Sequence, residues 1–120
     1  MTLTIYHYPS CSTCRKAIKW LEENGHPLNK IHIVDSPPTK EQLQAIQLGA
    51  GTELKKLFNT SGQRYRELNI KEKLPNLSED EQLDLLASHG KLIKRPLVTD
   101  GHQATIGFKE AQYEQVWGKG

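Results

Sequence analysis

The feature that most restricts the fold of this sequence is a Cys-x-x-Cys pair, Cys11 and Cys14, at the junction of two predicted elements. Residues 3–8 (LTIYHY) are rich in strand-forming side chains, which favours a β-strand. From Cys14 to Leu21, apolar residues follow at the i, i+3, i+4, i+7 spacing of an amphipathic helix. Residues 30–34 (KIHIV) predict a second strand, so the chain begins with a βαβ unit whose helix opens at the cysteines. A Cys-x-x-Cys in this place is typical of thioredoxin-like proteins.

The middle of the chain predicts helices. Thr39 with Gln42, and Ser78 with Glu81, have the spacing of a capping box, which marks the start of a helix. Between these two starts, the apolar residues of segment 54–58 indicate a further short helical stretch.

The last part of the chain predicts a hairpin and a final helix. Residues 95–108 (RPLVTDGHQATIGF) have the pattern of a β-hairpin that turns near Asp100 and Gly101, and an apolar stripe follows them. We therefore expect one domain of the α/β class over residues 1–120. Its core is predicted to be a thioredoxin-like mixed sheet of the order βαβ…ββα, with a helical insertion over about 39–90, between the second and third strands.

Composition and charge exclude several classes of function. A chain of 120 residues is long enough for one domain with its own core. Sixteen basic and fourteen acidic residues give a net charge of +2, which is too weak to indicate direct binding to nucleic acid. No apolar run approaches the length of a membrane span, and the N-terminus has no signal-peptide pattern. We therefore expect a cytoplasmic monomer, in a compartment where structural disulfides are rare.

Two interpretations of the cysteines compete with a redox role. Cys11 and Cys14 are followed by His26 and His32 in a C-x2-C-x11-H-x5-H arrangement that is close to zinc-finger spacing. The context disfavours zinc, because the cysteines open a helix and Pro27 separates the histidines. The second alternative is a pair of partly buried free thiols, with Cys14 packing on the apolar stripe of its helix. We expect no metal site.

The interpretation of Cys11 and Cys14 as a redox pair explains more features of the local sequence. Cys11 lies at a predicted helix N-terminus, where free backbone N–H groups favour a negative charge, and Arg15 adds a positive charge nearby. Cys11 is therefore predicted to be the attacking thiolate. Cys14, one turn later, is predicted to be the resolving thiol, because the i, i+3 spacing puts both sulfurs on one face of the helix.

Arg95 is predicted to act with the two cysteines by stabilising negative charge, and five further residues are predicted to shape the site: Ser10, Ser12, Thr13, Arg15 and Pro96. Ser12 and Thr13 are placed to donate hydrogen bonds to the Cys11 thiolate, and Ser10 flanks the same turn. Arg95 precedes Pro96, and a cis peptide between them would bring this segment against the cysteines, whereas the alternative is a surface arginine before an ordinary trans proline. The Arg95 guanidinium would then face a thiolate or a bound anion.

Three segments of the sequence together resemble the ArsC/Spx family: YHYPSCSTCRKA, DSPPTKEQL and IKRPLV. That family includes glutaredoxin-linked arsenate reductases and the Spx and MgsR regulators. The similarity extends from residue 3 to about residue 117. It implies a thioredoxin-like fold with a helical insertion, a reactive Cys11, and a cis proline after Arg95.

The sequence departs from the family's arsenate reductases at two positions. Those enzymes pair the cysteine with three arginines, of which only the one before the proline is matched, by Arg95. The other two positions fall at Asn59 and near Phe108. Neither side chain replaces a guanidinium that holds an oxyanion with two hydrogen bonds, so arsenate is not the expected substrate. Arg64 and Arg66 are the residues of the insertion that would have to take their place.

The resemblance leaves two functions open. The first is a thiol-dependent oxidoreductase that acts on an oxidised protein or small molecule. It would hold no cofactor and would draw electrons from thioredoxin, glutaredoxin or a low-molecular-weight thiol. The second is a redox-sensing regulator, because Spx-like proteins use a Cys-x-x-Cys as a disulfide switch. In Spx, contact with the C-terminal domain of the RNA polymerase α subunit involves a glycine that Gly51, in GAGTEL, resembles. The alternative for Gly51 is an ordinary loop glycine. Neither function requires contact with nucleic acid or membrane.

Overall fold

The computed structural model describes residues 2–118, and its centre is a four-stranded mixed sheet with the order β2-β1-β3-β4. The strands are β1 (Leu3–His7), β2 (Leu28–His32), β3 (Leu97–Thr99) and β4 (Ala104–Ile106). Strand β1 is parallel to β2 and antiparallel to β3, and β3 and β4 form an antiparallel hairpin. The α/β class, the thioredoxin-like sheet and the helical insertion between the second and third strands are confirmed.

Within residues 2–118, six α-helices accompany this sheet. They are α1 (Ser12–Glu23), α2 (Lys40–Ala50), α3 (Gln63–Glu67), α4 (Ile70–Lys73), α5 (Glu79–Ser88) and α6 (Glu110–Trp117). Three short 3-10 turns lie between them, at Leu54–Leu57, Leu74–Asn76 and Gly90–Leu92. No helix within residues 2–118 is both long and apolar enough to cross a membrane.

The sheet has a separate hydrophobic cluster on each face. Leu3 and Ile5 pack with α1 and α6, whereas Tyr6, the next residue of the same strand, packs with the insertion. This division follows from the two-residue period of a strand, which points successive side chains to opposite faces. The helices α1 and α6 therefore cover one face, and the insertion covers the other.

Both predicted capping boxes are present. The Thr39 hydroxyl accepts from the Gln42 amide at 3.1 Å, and the Gln42 side chain accepts from the Thr39 amide at 2.9 Å. Ser78 and Glu81 repeat this pattern at 3.1 and 2.9 Å. Each box satisfies two N–H groups that a helix start leaves without partners, which is why α2 and α5 begin where they do.

Two predicted elements need correction. The second strand covers Leu28–His32 rather than 30–34, because its partner β1 ends at His7 and the parallel ladder ends with the pair His7–His32. The short helical stretch predicted at 54–58 is present as a 3-10 helix over Leu54–Leu57, and only Phe58 lies outside it, because Phe58 is extended and forms a β-bridge with Ile93.

Candidate functional site

The first helix begins at Cys11, which serves as its N-cap. Cys11 has an extended backbone (φ −86°, ψ 114°), and its Sγ accepts a hydrogen bond from the Cys14 amide at 3.4 Å. The Cys11 amide donates to the Tyr8 carbonyl at 2.9 Å, which closes the turn after β1. Cys11 is partly exposed, whereas Cys14 lies on the buried face of α1, and both are free thiols. The structure therefore presents one sulfur to solvent and covers the other.

The environment of Cys11 favours its thiolate. Burial alone raises the pKa of the Cys11 thiol, but this effect is outweighed. The Cys14 side chain and amide hydrogen-bond to its sulfur, the Arg95 charge attracts it, and the Thr13 amide points at it, so the net pKa lies below its ordinary value. A lowered pKa at a helix N-terminus is the usual property of a reactive cysteine.

The environment of Cys14 has the opposite effect. Burial raises the pKa of the Cys14 thiol to about 12, and the neighbouring Cys11 sulfur adds to the increase. Arg95 partly opposes it. The two thiols therefore differ in opposite directions from an ordinary cysteine: the accessible Cys11 loses its proton more readily, and the covered Cys14 keeps its proton at neutral pH.

Arg95 is the charged residue that acts on both sulfurs. Its peptide bond to Pro96 is cis, as the resemblance implied. Its guanidinium carbon lies 5.0 Å from the centre of the Tyr8 ring, within the range of a cation–π contact. Its Nε and Nη1 atoms are buried, and neither has a hydrogen-bond partner among the described residues. Such buried donors are rare in folded proteins and indicate a place for an acceptor.

A cavity of about 290 Å³, which we call the Cys11 cavity, brings the predicted site together. It is lined in part by Cys11, Thr13, Arg95, Asn59 and Phe108. The last two are the positions to which the resemblance assigned the other two arginines of the family's arsenate reductases, and neither side chain carries a charge. No arginine of the helical insertion lines this cavity.

Arg64 and Arg66 do not replace the missing arginines in this cavity. Arg64 lines a neighbouring cavity of about 410 Å³, which shares only Asn59 and Arg95 with the first. There Arg64 donates to the His89 ring at 3.3 Å and lies 3.4 Å from a Glu67 carboxylate oxygen. Arg66 is exposed and lines neither cavity.

Two basic residues of the Cys11 cavity, Lys94 and Lys109, were not predicted from the sequence. Lys94 directly precedes Arg95 in the chain, and this position next to a predicted site residue was the one signal in the sequence that could have indicated it. Lys109 is the N-cap of α6 and makes no capping hydrogen bond with its side chain. It lies about a hundred residues after Cys11 in the sequence, and only the return of the hairpin brings it to the site.

The remaining predicted site residues have different places. Ser10 and Ser12 are exposed and line no part of the Cys11 cavity. Arg15 donates from Nη1 to the Pro9 carbonyl at 3.0 Å, so its side chain braces the turn. Gly51 is exposed, caps α2 in the left-handed conformation (φ 63°), and has open space above it.

The histidines of the zinc-like pattern have other partners. The His26 ring hydrogen-bonds the Trp117 carbonyl. The His32 Nδ1 accepts from the amides of Val34 and Asp35 at 3.2 and 3.1 Å. Over residues 2–118, the structure contains no group of three or more His, Cys, Asp or Glu side chains that could hold a metal ion.

Comparisons with known proteins place the chain among relatives of this type. The profile of the ArsC family matches residues 6–116. The uncharacterized protein YusI of Bacillus subtilis is 63% identical over 98% of this chain and 99% of its own length. The regulatory protein MgsR of the same organism is 33% identical, over 92% of this chain and 86% of its own length. A crystal structure of a possible arsenate reductase from Streptococcus mutans is 46% identical, with a TM-score of 0.87, over 96% of this chain and 97% of that one.

Proposed function

The chain belongs to the ArsC family, and from that premise we propose that it is a thiol-dependent oxidoreductase in which Cys11 and Cys14 form the redox pair. The observation that supports this most directly is the asymmetry of the two sulfurs. Cys11 is partly exposed at the N-terminus of α1 and feels the charge of Arg95, and Cys14 is buried one turn later and donates a backbone hydrogen bond to the Cys11 sulfur. Accessible thiolate and covered resolving thiol are the two roles that disulfide reduction requires.

The proposed reaction has two steps. The Cys11 thiolate attacks one sulfur of an oxidised substrate, a Cys11–substrate disulfide forms, the substrate S–S bond breaks, and the leaving sulfur carries away the electron pair as a thiolate. Cys14 then loses its proton to solvent and attacks the Cys11 sulfur, which releases the second substrate thiolate. The products are a Cys11–Cys14 disulfide and two reduced substrate thiols. Arg95 stabilises the thiolate before the first step.

The high pKa of Cys14 fits this order of events. Part of the increase comes from the negative Cys11 sulfur beside it. That contribution disappears once Cys11 is in a mixed disulfide, whereas the Arg95 charge remains. Cys14 is thus protonated before the first step, and its thiol becomes easier to ionise once the mixed disulfide at Cys11 has formed.

The cycle requires an external reductant. Thioredoxin, glutaredoxin or a low-molecular-weight thiol would reduce the Cys11–Cys14 disulfide by the same exchange, at the expense of its own oxidation. These reductants act in the cytoplasm, where we place the protein. Arsenate is not the proposed substrate, because Asn59 and Phe108 stand where the clamp arginines of arsenate reductases would be.

A redox titration against dithiothreitol buffers, followed by alkylation and mass spectrometry, tests the pair. We expect one two-electron transition between dithiol and disulfide. The Cys14→Ser variant should accumulate a mixed disulfide with a small disulfide substrate, and the Cys11→Ser variant should turn over none. Turnover by purified Cys11→Ser protein would refute the mechanism, as would a wild-type pair that forms no disulfide in any buffer.

The second candidate function is a redox-sensing regulator, which the relationship to MgsR supports. In this proposal the same disulfide alters the surface offered to the C-terminal domain of the RNA polymerase α subunit. Gly51 would belong to that surface, because it is exposed at the end of α2 with nothing above it.

A pull-down of this C-terminal polymerase domain by the reduced and the oxidised protein tests the second candidate. We expect one redox form to bind, and we expect Gly51→Asn to weaken binding. Gly101→Asn is the matched control, since Gly101 is another exposed, left-handed glycine with open space above it. Binding by neither redox form would count against the regulator.

A further inference from the structure

The Cys11 cavity has a cationic end, formed by Lys94 and Lys109, that the proposed reaction does not use. Lys94 and Lys109 line it together with Arg95, and none of the described residues that line it is acidic. Within residues 2–118, neither lysine forms a salt bridge with a carboxylate. Three basic residues, of which the two lysines are exposed, therefore line one small cavity, and no acidic residue of the described part of the chain lines it with them.

The backbone leaves room for the Lys94 side chain at this place. Gly107 has a φ of 80°, and a Cβ added to it would lie 3.2 Å from the Lys94 Cε and 3.8 Å from its Nζ. The lysine stem thus crosses the space that a side chain at residue 107 would occupy. The Tyr113 hydroxyl holds this segment by donating to the Gly107 carbonyl at 2.8 Å. The end of the Lys94 side chain therefore lies against residue 107, which lines the same cavity.

An apolar wall lies beside the cations. Ile106 and Phe108 line the same cavity, and Phe108 packs edge-on against Tyr113 with ring centres 4.8 Å apart. A ligand in the cavity would therefore meet a reactive sulfur, an aliphatic and aromatic wall, and a cationic end. These are the features that a small molecule with a sulfur, a short carbon chain and an anionic group would satisfy.

We propose that the Cys11 cavity selects small disulfides that carry a carboxylate, with the reacting sulfur at Cys11 and the carboxylate between Lys94 and Lys109. This inference rests on the proposed function and names its substrate class. A volume of about 290 Å³ suits one half of such a molecule and not a folded protein segment. The Cys11 thiolate attacks the nearer sulfur, the mixed disulfide keeps the carboxylate in the cavity, and the other half leaves as a thiolate.

The test compares three small disulfides that differ in charge: dithiodipropionate with carboxylates, hydroxyethyl disulfide without charge, and cystamine with ammonium groups. Each reacts with the Cys14→Ser variant at low ionic strength, and mass spectrometry follows the mixed disulfide at Cys11. Each rate is divided by the rate of the same disulfide with free mercaptoethanol, which removes differences in intrinsic reactivity. We expect the carboxylate disulfide to react about tenfold faster than the uncharged one, the effect of two partly exposed ion pairs, and cystamine to react more slowly than either.

Variants of the lysines assign the preference. In the Cys14→Ser background, Lys94→Met with Lys109→Met should bring the ratio of carboxylate to uncharged rates to about one, and each single change should give an intermediate ratio. Lys71→Met is the control, because Lys71 is exposed and lines neither cavity, and it should leave the ratio unchanged. Added salt should lower the carboxylate preference and not the uncharged rate.

The outcomes separate this inference from the function on which it rests. If the uncharged disulfide reacts at Cys11 and the carboxylate disulfide has no advantage, the substrate class is wrong and the oxidoreductase proposal stands. If the preference survives loss of both lysines, the cationic end is not the selective element. If no disulfide reacts at Cys11, both proposals are refuted.

Discussion

Replacement of Arg95 by Met is expected to stabilise the fold while it impairs the thiolate. Two guanidinium nitrogens are buried without partners among the described residues, and the guanidinium carbon lies 5.0 Å from the Tyr8 ring centre. A buried unsatisfied group costs about 1–3 kcal/mol, and a partly exposed cation–π contact contributes about 0.5–1 kcal/mol. Met keeps an aliphatic stem over the ring, so Arg95→Met should raise the free energy of unfolding by about 1–2 kcal/mol when Cys11 is protonated.

The gain should shrink as the pH rises. The folded-state pKa of Cys11 is lowered, in part by Arg95. A group with a lowered folded-state pKa adds stability above its unfolded pKa, about 8.5 for cysteine, and loses it as the pH falls through the folded-state value. The wild-type protein therefore gains stability towards alkaline pH through Arg95, and the Met variant gains less.

Urea unfolding of the reduced proteins at acidic and at mildly alkaline pH measures both effects. Arg15→Met is the matched control, because Arg15 is exposed, and we expect a change within about 0.5 kcal/mol at either pH. In a Cys11→Ser background, the pH-dependent part should vanish. Alkylation of Cys11 by iodoacetamide at neutral pH should be slower in Arg95→Met than in the wild type. A variant that is less stable at both pH values and alkylates at the wild-type rate would refute the pairing of Arg95 with the thiolate.

Three further substitutions test contacts outside the cysteine pair that stabilise the fold. Tyr113→Phe removes the buried hydrogen bond to Gly107 and should lower the free energy of unfolding by about 1 kcal/mol. It should also weaken the carboxylate preference of Cys11. An unchanged preference would show that Tyr113 does not position the cavity wall. Gly90→Ala places a Cβ against the Ile33 carbonyl group, 2.7 Å from its carbon atom. The midpoint temperature of thermal unfolding should therefore fall by several degrees. An unchanged midpoint would contradict the close packing of residue 90 against Ile33. Thr39→Ala breaks a capping box and should cost about 1 kcal/mol in urea unfolding, with no effect on alkylation of Cys11.

Local sequence patterns predicted the elements that carry their own signals. The cysteine pair at the strand–helix junction, the two capping boxes and the hairpin turn at Asp100 all depend on residues a few positions apart, and the structure contains each of them. The same patterns did not predict the limits of an element when those limits depend on pairing with another element. Strand β2 was placed two residues late, because its limits are set by β1 and not by its own composition.

The sequence by itself determined where the proposed redox pair lies: two cysteines one helical turn apart, with the first at a helix start, where backbone N–H groups favour a thiolate. The tertiary structure decided what surrounds them. It buried Cys14, placed the Arg95 charge beside both sulfurs, left Arg64 in a separate cavity, and brought Lys94 and Lys109 to the Cys11 cavity. The physical reason is that capping and helical spacing act over a few residues, whereas burial and charge depend on distances between atoms that only the closed sheet brings together.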